Sequence, residues 1–215
     1  MVFKIPVAQI YKQLIKQLTG FFFLSKEEKI ILLEEFENII QRCELCFSNA
    51  VNKNKYYWIE NEKGSKETYF NPYHSGQYTI FLYYASNSIS KRGEVLLADK
   101  LYYLNKIMNG CDLYHQINLP SIFFLDHPVG SVMGRAIYND NFTFGQNCTV
   151  GNNKGIYPTI GKNVRMCANS SIIGNCHIGN NVVIGANSGV KDENVPSNSI
   201  VFGQSPTLII KSRIK

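Results

Sequence analysis

Residues 160–190 read IGKNVRMCANSSIIGNCHIGNNVVIGANSGV and repeat every six positions. The apolar residues of this repeat are Ile160, Met166, Ile172, Ile178, Ile184 and Val190. A small or apolar residue follows each of the first five at four positions: Val164, Ser170, Cys176, Val182 and Ser188. Neither an α-helix, with a period of 3.6, nor a strand, with a period of 2, sustains this spacing. The repeat therefore predicts a parallel β-helix, in which each six-residue unit forms one flat side and points its apolar residue into a narrow core.

The same register extends upstream, where the inward positions are bulkier. They are predicted to be Val132, Tyr138, Phe144 and Val150, followed at four positions by Ala136, Phe142 and Cys148. Ten residues rather than six separate Val150 from Ile160, which predicts a loop between Gly151 and Tyr157. Insertions in repeat proteins often lie on the binding face. Residues after Val195-Pro196 are predicted to leave the repeat, with 208–210 packing across the last coil as a cap.

The first half of the chain has helical patterns instead. Residues 7–19 form an amphipathic stripe that Gly20 is expected to end, and Ser25 with Glu28 matches a capping box. Further helices are predicted for the ranges 26–53, 77–90 and 94–108, with loops at 52–55 and 61–66. The sequence therefore predicts an α+β protein, with an α-helical N-terminal domain over 1–112 and a β-helix domain with a C-terminal cap over 113–215.

Composition limits the classes of partner. The 215 residues are 45% hydrophobic and 18% charged, as in a globular protein. The net charge of +6 is spread along the chain, which argues against a nucleic-acid partner. A membrane span and a signal peptide are not expected, since no run of 18 apolar residues and no basic start are present. The CxxC of Cys43 and Cys46 lies in a helical pattern, so buried free thiols are expected. Without a secretory signal, a reducing cytoplasm is the expected location.

The segment Phe124-Leu-Asp-His-Pro-Val-Gly130, where the coil begins, is the main candidate for chemistry. A histidine can accept a proton from a hydroxyl near neutral pH, and a neighbouring carboxylate could hold an acceptor. The alternative is that Asp126 and His127 only shape a turn before Pro128. The dipeptide alone favours neither explanation.

Residues 117–210 resemble the hexapeptide-repeat acyltransferases, whose fold is a left-handed parallel β-helix, and serine acetyltransferases in particular. That family carries Leu-Asp-His, two further residues and Gly before its regular coils, and residues 125–130 match this motif. Cys148-Thr-Val-Gly-Asn152 stands where the family has a Val-Thr-Leu-Gly-Gly turn. Val195-Pro196 and Gly203-Gln-Ser-Pro206 are similar to its closing Val-Pro and Gly-x-Pro-Ala elements.

The resemblance implies an acetyl-CoA-dependent O-acetyltransferase that moves the acetyl group directly onto an acceptor hydroxyl. It implies that His127 is the general base and that Asp126 contacts the acceptor. The cosubstrate acetyl-CoA would lie along the coil between neighbouring subunits, near Gly151, Ala168 and Ser170. It further implies a homotrimer, with a dimer of trimers as an option, and no metal.

The sequence also departs from the family. Tyr157, before Pro158, stands where the family has a second histidine, and it is a candidate acceptor-binding residue. Residues 116–120 stand where the family has a carboxylate that orients the base, and they contain none. His74 is a candidate acceptor-binding residue in the helical region, although it could equally be a helix-entry residue. Because a small amino acid needs charged partners, a sugar hydroxyl of a surface polysaccharide or its precursor is an acceptor comparable with L-serine.

Two other functions carry the same fold. One is a catalytically inactive trimeric scaffold, which the intact Leu-Asp-His-x-x-Gly motif argues against, while Tyr157 and the missing carboxylate leave it open. The other is a carbonic-anhydrase-like zinc enzyme, which needs three histidines, whereas the predicted coil holds only His127 and His177. His177 is expected on the surface or in a subunit contact. Fold alone does not decide between these functions.

Overall fold

The computed structural model describes residues 1–50 and 57–213. The chain divides into two compact units, Met1–Asn109 and Gly110–Lys215. The predicted domain boundary at residue 112 lies inside the first strand of the second unit, at Asp112–Leu113. The predicted boundary thus falls within three residues of the division between the units.

Four helices and a small sheet form the first unit. The helices are α1 (Val7–Phe21), α2 (Lys26–Ala50), α3 (Ser75–Lys91) and α4 (Val95–Asn109). Strands β1 (Val2–Phe3), β2 (Trp58–Glu60) and β3 (Lys66–Phe70) pair in the order β1-β3-β2. All four helices were predicted, but the sheet was not, and α1 continues past Gly20 to Phe21. The predicted loop at 52–55 lies outside the described residues, and 61–65 form the turn between β2 and β3.

Local hydrogen bonds and burial explain this unit. The Ser25 N–H donates to Glu28 Oε2 (2.8 Å) and the Glu28 N–H donates to Ser25 Oγ (3.1 Å), which confirms the predicted capping box. Helix α3 is buried from Gly76 to Ile89, so it forms the centre of the unit. The predicted free thiols are confirmed at Cys43 and Cys46, and burial raises the pKa of Cys43 well above its usual range.

The second unit is a β-helix with three flat faces. Face 1 contains β4 (Asp112–Leu113), β6 (Val132–Met133), β9 (Thr149–Gly151), β12 (Ser171–Ile173) and β15 (Gly189–Lys191). Face 2 contains β7 (Ile137–Tyr138), β10 (Thr159–Ile160) and β13 (His177–Ile178). Face 3 contains β5 (Phe123–Leu125), β8 (Phe142–Phe144), β11 (Arg165–Met166), β14 (Val183–Ile184), β16 (Ser199–Phe202) and β17 (Ile209–Ser212). From β6 to β15 the chain visits faces 1, 2 and 3 in turn, and these strands pair in parallel.

The predicted core of the coil is confirmed with two exceptions, Val132 and the half-buried Ala136. The six inward residues from Ile160 to Val190 are at most 1% exposed. Val132, however, is 42% exposed, and Met133 is buried in its place. The prediction was wrong because β6 pairs with β9 so that Met133 lies beside Val150, and only five residues then separate it from Tyr138. The period of six therefore fails at the upstream end of the coil.

The corners that lead from face 3 to face 1 are short and repeat regularly. Three of them contain four residues: 145–148, 167–170 and 185–188. The third residue of each has a positive φ and is an asparagine: Asn147 (53°), Asn169 (60°) and Asn187 (58°). Asn147 Nδ2 donates to Asn169 Oδ1 (3.0 Å), and Asn169 Nδ2 donates to Asn187 Oδ1 (3.0 Å). We call these three residues the asparagine column. Asparagine tolerates the left-handed backbone conformation, and the side-chain hydrogen bonds link successive coils.

The C-terminal prediction is partly wrong. Strand β16 still belongs to the coil, since Ile200 and Val201 pair in parallel with β14. The chain then reverses, and β17 pairs antiparallel with β16. Strand β17 therefore covers the edge of β16 at the end of face 3 rather than crossing the coil, and Ile209 and Ile210 stay 56% and 40% exposed.

Candidate active site

The first corner between face 3 and face 1 differs from those below it. It runs from Asp126 to Ser131 and contains six residues instead of four. The N–H of Asp126 donates to the Phe144 carbonyl, as Gly145 does to Met166, so Asp126 takes the first position of the corner. Gly130 takes the asparagine position, because Asn147 lies directly against it. The two extra residues therefore form a bulge at His127, Pro128 and Val129, which we call the corner bulge.

The corner bulge is fixed at both ends. The Val129 N–H donates to the His127 carbonyl (2.8 Å), and the Ser131 N–H donates to the Pro128 carbonyl (3.1 Å). The buried Ser131 hydroxyl donates to the Gly145 carbonyl (2.7 Å) and accepts from the Cys148 N–H (2.9 Å). Sequence analysis missed this role of Ser131, which depends on how the two corners stack.

His127 is held outward by this backbone. Its φ is +52°, a left-handed value that is uncommon outside glycine and asparagine and that often marks functional sites. The side chain is exposed, and it has no hydrogen-bond partner among the residues that the structure describes. The unprotonated imidazole nitrogen is therefore open to accept a proton, as a general base requires.

Asp126 is paired with an arginine that sequence analysis did not single out. Arg165 Nη2 lies 3.2 Å from Asp126 Oδ2, and the two side chains are 56% and 55% exposed. Arg165 is the first residue of β11 and lies beside Thr143 of β8 and Val183 of β14. Since β5 pairs with β8 on the far side, the arginine side chain reaches two strands along face 3 to the corner.

A second carboxylate lies on the coil turn before the corner bulge. Asp112 pairs with Val132, and its N–H donates to the Ser131 carbonyl (2.8 Å). Asp112 therefore occupies the first outward position of face 1, at the end where the corner bulge lies. The family carboxylate was predicted to be missing at 116–120, and the strand pairing makes Asp112 a candidate for it.

The predicted loop between faces 1 and 2 is confirmed as a short hairpin. Asn153 and Ile156 exchange backbone hydrogen bonds of 3.1 and 2.9 Å around Lys154 and Gly155, whose φ values are +50° and +78°. Two positive φ angles are the pattern of a type I′ turn. Beyond this turn, Tyr157 is 42% exposed and borders a groove together with Arg135, Ile137 and Thr159.

The hairpin is attached to the coil through Asp192. Asn153 Nδ2 donates to Asp192 Oδ2 (2.6 Å), and the Asn175 N–H donates to Asp192 Oδ1 (2.8 Å). The hydrogen bond from the Asn175 backbone, followed by that from the Asn153 side chain, lowers the pKa of Asp192 below its usual value. Asp192 therefore stays ionised and holds the loop that carries Tyr157.

One chain does not bring Tyr157 to His127. The corner bulge lies before the strands of face 1, whereas the hairpin follows the end of β9 on the same face. The two predicted residues thus flank opposite ends of the face 1 strands. A site that uses both would need His127 from one copy of the chain and Tyr157 from another.

The three residues predicted to bind the cosubstrate differ in what they offer. Gly151 ends β9, next to the hairpin. Ala168 is half-buried at the corner below Gln146, and its N–H has no acceptor among the described residues. Ser170 is 1% exposed, and its hydroxyl donates to the Cys167 carbonyl (2.7 Å). Its side chain therefore belongs to the inner column of the corners and faces no groove.

The remaining histidines have separate positions. His74 is the N-cap of α3, where Nδ1 accepts from the Gln77 N–H (3.2 Å), so the alternative of a helix-entry residue fits this contact. His177 is exposed on face 2, as predicted, and His115 is fully buried. Across 1–50 and 57–213, no three His, Cys, Asp or Glu side chains converge as a metal ion would require. None of the helices in these ranges is long and apolar enough to cross a membrane.

Comparison with known proteins gives a consistent result for the coil. Residues 157–192 match the family model described as bacterial transferase hexapeptide (six repeats). The matched residues run from β10 through β15 of the second unit. In sequence, the chain is 32% identical over 135 residues to a serine acetyltransferase of Staphylococcus epidermidis, covering 60% of this chain and 63% of the relative. A serine acetyltransferase of Staphylococcus xylosus is 30% identical, with 60% and 62% covered. The chain thus spans a little under two thirds of the length of these relatives.

Solved structures show the same fold beyond the residues that match the family model. A serine acetyltransferase of Neisseria gonorrhoeae superposes with a TM-score of 0.70 at 24% identity, covering 87% of this chain and 72% of the other. A serine acetyltransferase of Brucella abortus in complex with coenzyme A gives a TM-score of 0.68 at 22% identity, covering 88% and 74%. The coverage exceeds the repeat region, so the helical unit shares this architecture. The predicted α+β fold, with helices before a β-helix, is therefore confirmed.

Proposed function

We propose that the protein is an acetyl-CoA-dependent O-acetyltransferase that acetylates the hydroxyl of L-serine. The corner bulge carries this proposal, because its extra residues hold an unpaired His127 outward beside the charged pair of Asp126 and Arg165. A regular corner of four residues would serve a scaffold as well. The named relatives support serine as the acceptor, and they are the reason to prefer it to a sugar.

In the proposed reaction, His127 accepts the proton of the acceptor hydroxyl while the hydroxyl oxygen attacks the carbonyl carbon of the acetyl thioester. Asp126 binds the cationic ammonium of the acceptor and thereby holds its hydroxyl beside the imidazole. The cosubstrate contributes an activated thioester, and the proton held by His127 is then available to the departing thiolate. Transfer is direct, so no cysteine of this chain carries the acetyl group.

Asp112 is our candidate for the residue that orients His127. It lies at the same end of face 1 as the corner bulge, on the preceding coil turn. A carboxylate beside a catalytic imidazole fixes its tautomer and stabilises the imidazolium that forms when the proton is taken. Asp112 would act through His127 and is therefore a positioning residue.

The cosubstrate would be held at the corners and beside the hairpin. The free N–H of Ala168 offers a backbone donor, and Gly151 leaves room next to the hairpin. The groove at Arg135 and Tyr157 provides an exposed basic side chain next to apolar surface. These features fit an elongated ligand that combines an apolar arm with phosphates. The buried Ser170 would support the corner rather than contact the ligand.

A homotrimer would complete the site. Tyr157 and His127 flank opposite ends of face 1 within one chain, so a neighbouring copy must supply one of them if both bind the same acceptor. We propose this arrangement for the trimer and keep pairing of trimers through the helical unit as an option. The cytoplasm is the proposed location, which the free cysteines support.

The test is to incubate the purified protein with acetyl-CoA and a panel of L-serine, sugars and nucleotide sugars, following release of free CoA thiol. Release with L-serine is expected, and the His127→Asn variant should lose about 10²- to 10⁴-fold in kcat. Asparagine is chosen because it tolerates the positive φ of position 127, as it does in the other corners of the coil. Release only with a saccharide would reassign the acceptor. Equal release by the variant and the wild type would overturn the role of His127.

A further inference from the structure

Asp126 and Arg165 form an exposed ion pair on the outer surface of the coil. Arg165 Nη2 contacts Asp126 Oδ2 at 3.2 Å, and no other hydrogen-bond partner of this guanidinium occurs among the described residues. Both side chains are more than half exposed. Ion pairs with this exposure contribute little to stability, because water and salt screen them. The contact is therefore poorly explained as a support for the fold.

The geometry directs the arginine towards the corner bulge. Asp126 follows β5, and β8 separates that strand from β11, which carries Arg165. With about 4.8 Å between neighbouring strands, the two side chains and the contact between them together bridge roughly 10 Å, so the arginine lies extended along the face. A guanidinium has five N–H donors in a planar fork, of which this contact uses one. The remaining donors stay available next to the residue that precedes His127.

The two charges match those of a free amino acid. An α-amino acid carries an ammonium and a carboxylate on the same carbon atom. Asp126 offers the partner for the ammonium, and the planar fork of Arg165 suits a carboxylate. A neutral sugar hydroxyl would use neither charge. L-Serine needs charged partners for its ammonium and its carboxylate, and none was evident in the sequence. The ion pair supplies both.

We propose that Arg165 is an acceptor-binding residue that selects for an α-amino acid by binding its carboxylate. The acceptor enters with its ammonium on Asp126 and its carboxylate on the free donors of Arg165, and its hydroxyl then lies towards His127. This inference rests on the proposed acetyl transfer and adds the feature that determines its acceptor class.

The test compares L-serine with L-serinamide, in which a neutral carboxamide replaces the carboxylate while the ammonium and hydroxyl remain. Arg165→Gln is expected to raise KM for L-serine about 10- to 100-fold, because a charge-assisted hydrogen bond is lost. KM for L-serinamide should change less than about twofold, and Arg165→Lys should give an intermediate KM for L-serine. Lys162→Gln is the matched control, since it removes an exposed cation from the same coil without touching Asp126.

The outcomes separate this inference from the proposed function. If Arg165→Gln acts equally on both acceptors, or on neither, the inference is wrong while acetyl transfer stands. If the wild type acetylates no acceptor, the proposed function fails. Calorimetric titration of L-serine then tests the role of Arg165 in binding by itself. Binding at least about tenfold weaker to Arg165→Gln would support the inference, and equal or absent binding would overturn it. Circular dichroism and the melting temperature check that each variant folds.

Discussion

Gly130 lies against the side-chain amide of Asn147, so closely that a Cβ at Gly130 would come within 2.1 Å of Asn147 Oδ1. Its φ is +78°, which also favours glycine. The asparagine column that links the lower corners therefore ends against this glycine, where the corner bulge begins.

The substitution Gly130→Ala should reduce both stability and activity. The new methyl group must displace the Asn147 amide, which the next asparagine holds at 3.0 Å, and the backbone conformation is strained as well. We expect a loss of about 2–4 kcal/mol in the free energy of unfolding, measured with urea.

Gly155→Ala is the matched control for this change. Gly155 has the same φ of +78°, but nothing lies within 4 Å of its Cβ position. It should cost only about 1 kcal/mol, the backbone contribution alone. Equal losses in the two variants would contradict a role for the close approach of Gly130 and Asn147.

The asparagine column should stabilise the coil through its side chains as well as its backbone. Asn169→Ala removes two hydrogen bonds of 3.0 Å and places alanine at a φ of +60°. Asn169→Gly removes the same hydrogen bonds but relieves the backbone. Alanine should therefore be the less stable variant by about 1 kcal/mol in urea unfolding. If the order is reversed, the left-handed conformation is not what selects asparagine here.

Replacement of Asp112 tests its proposed positioning role. Asp112→Asn should lower kcat about 10- to 100-fold, because the imidazolium formed in the reaction loses a neighbouring negative charge. KM for the acceptor should stay unchanged, since Asp112 would not touch it. Asp140→Asn, elsewhere on the coil, is the control and should leave both parameters unchanged. A parallel rise in KM would point to general disturbance of the corner.

The attachment of the hairpin should depend on pH. Because hydrogen bonds lower the pKa of Asp192 in the folded protein, its ionised form stabilises the fold above the usual value of 3.8. This stability should be lost as the pH falls below 3.8, through the lower pKa of the folded state. The melting temperature of the wild type should exceed that of Asp192→Asn near neutral pH, with the gap closing in this acid range. A gap independent of pH would show that the charge is not involved.

The sequence predicted the regular coil well and its irregular start poorly. From Ile160 onward each coil repeats the same spacing, so counting in steps of six residues identifies the inward residues. At Val132 the count fails, because the corner between β6 and β7 is one residue shorter than the period requires, so that Met133 rather than Val132 lies beside Val150. A repeat pattern identifies residues that alternate regularly, and it does not indicate where the chain leaves the stack.

The candidate site was likewise predicted only in part. His127 and Asp126 were found because they are adjacent in a recognisable motif. Arg165 was not singled out, since it meets Asp126 only after coils 39 residues apart are stacked. Asp112 was missed for a related reason, as its position depends on pairing between β4 and β6. Contacts between coils depend on the lengths of the intervening corners, which the spacing of apolar residues does not reveal.

The corner that carries the bulge is only two residues longer than the corners beneath it. Deleting His127 and Pro128 would give a corner of ordinary length and leave the inward residues of the strands in place. Such a protein would keep the architecture of a scaffold while losing the outward histidine. In this fold, an inert spacer and an enzyme can therefore differ by one small insertion, and gain or loss of catalysis need not involve any change in the core.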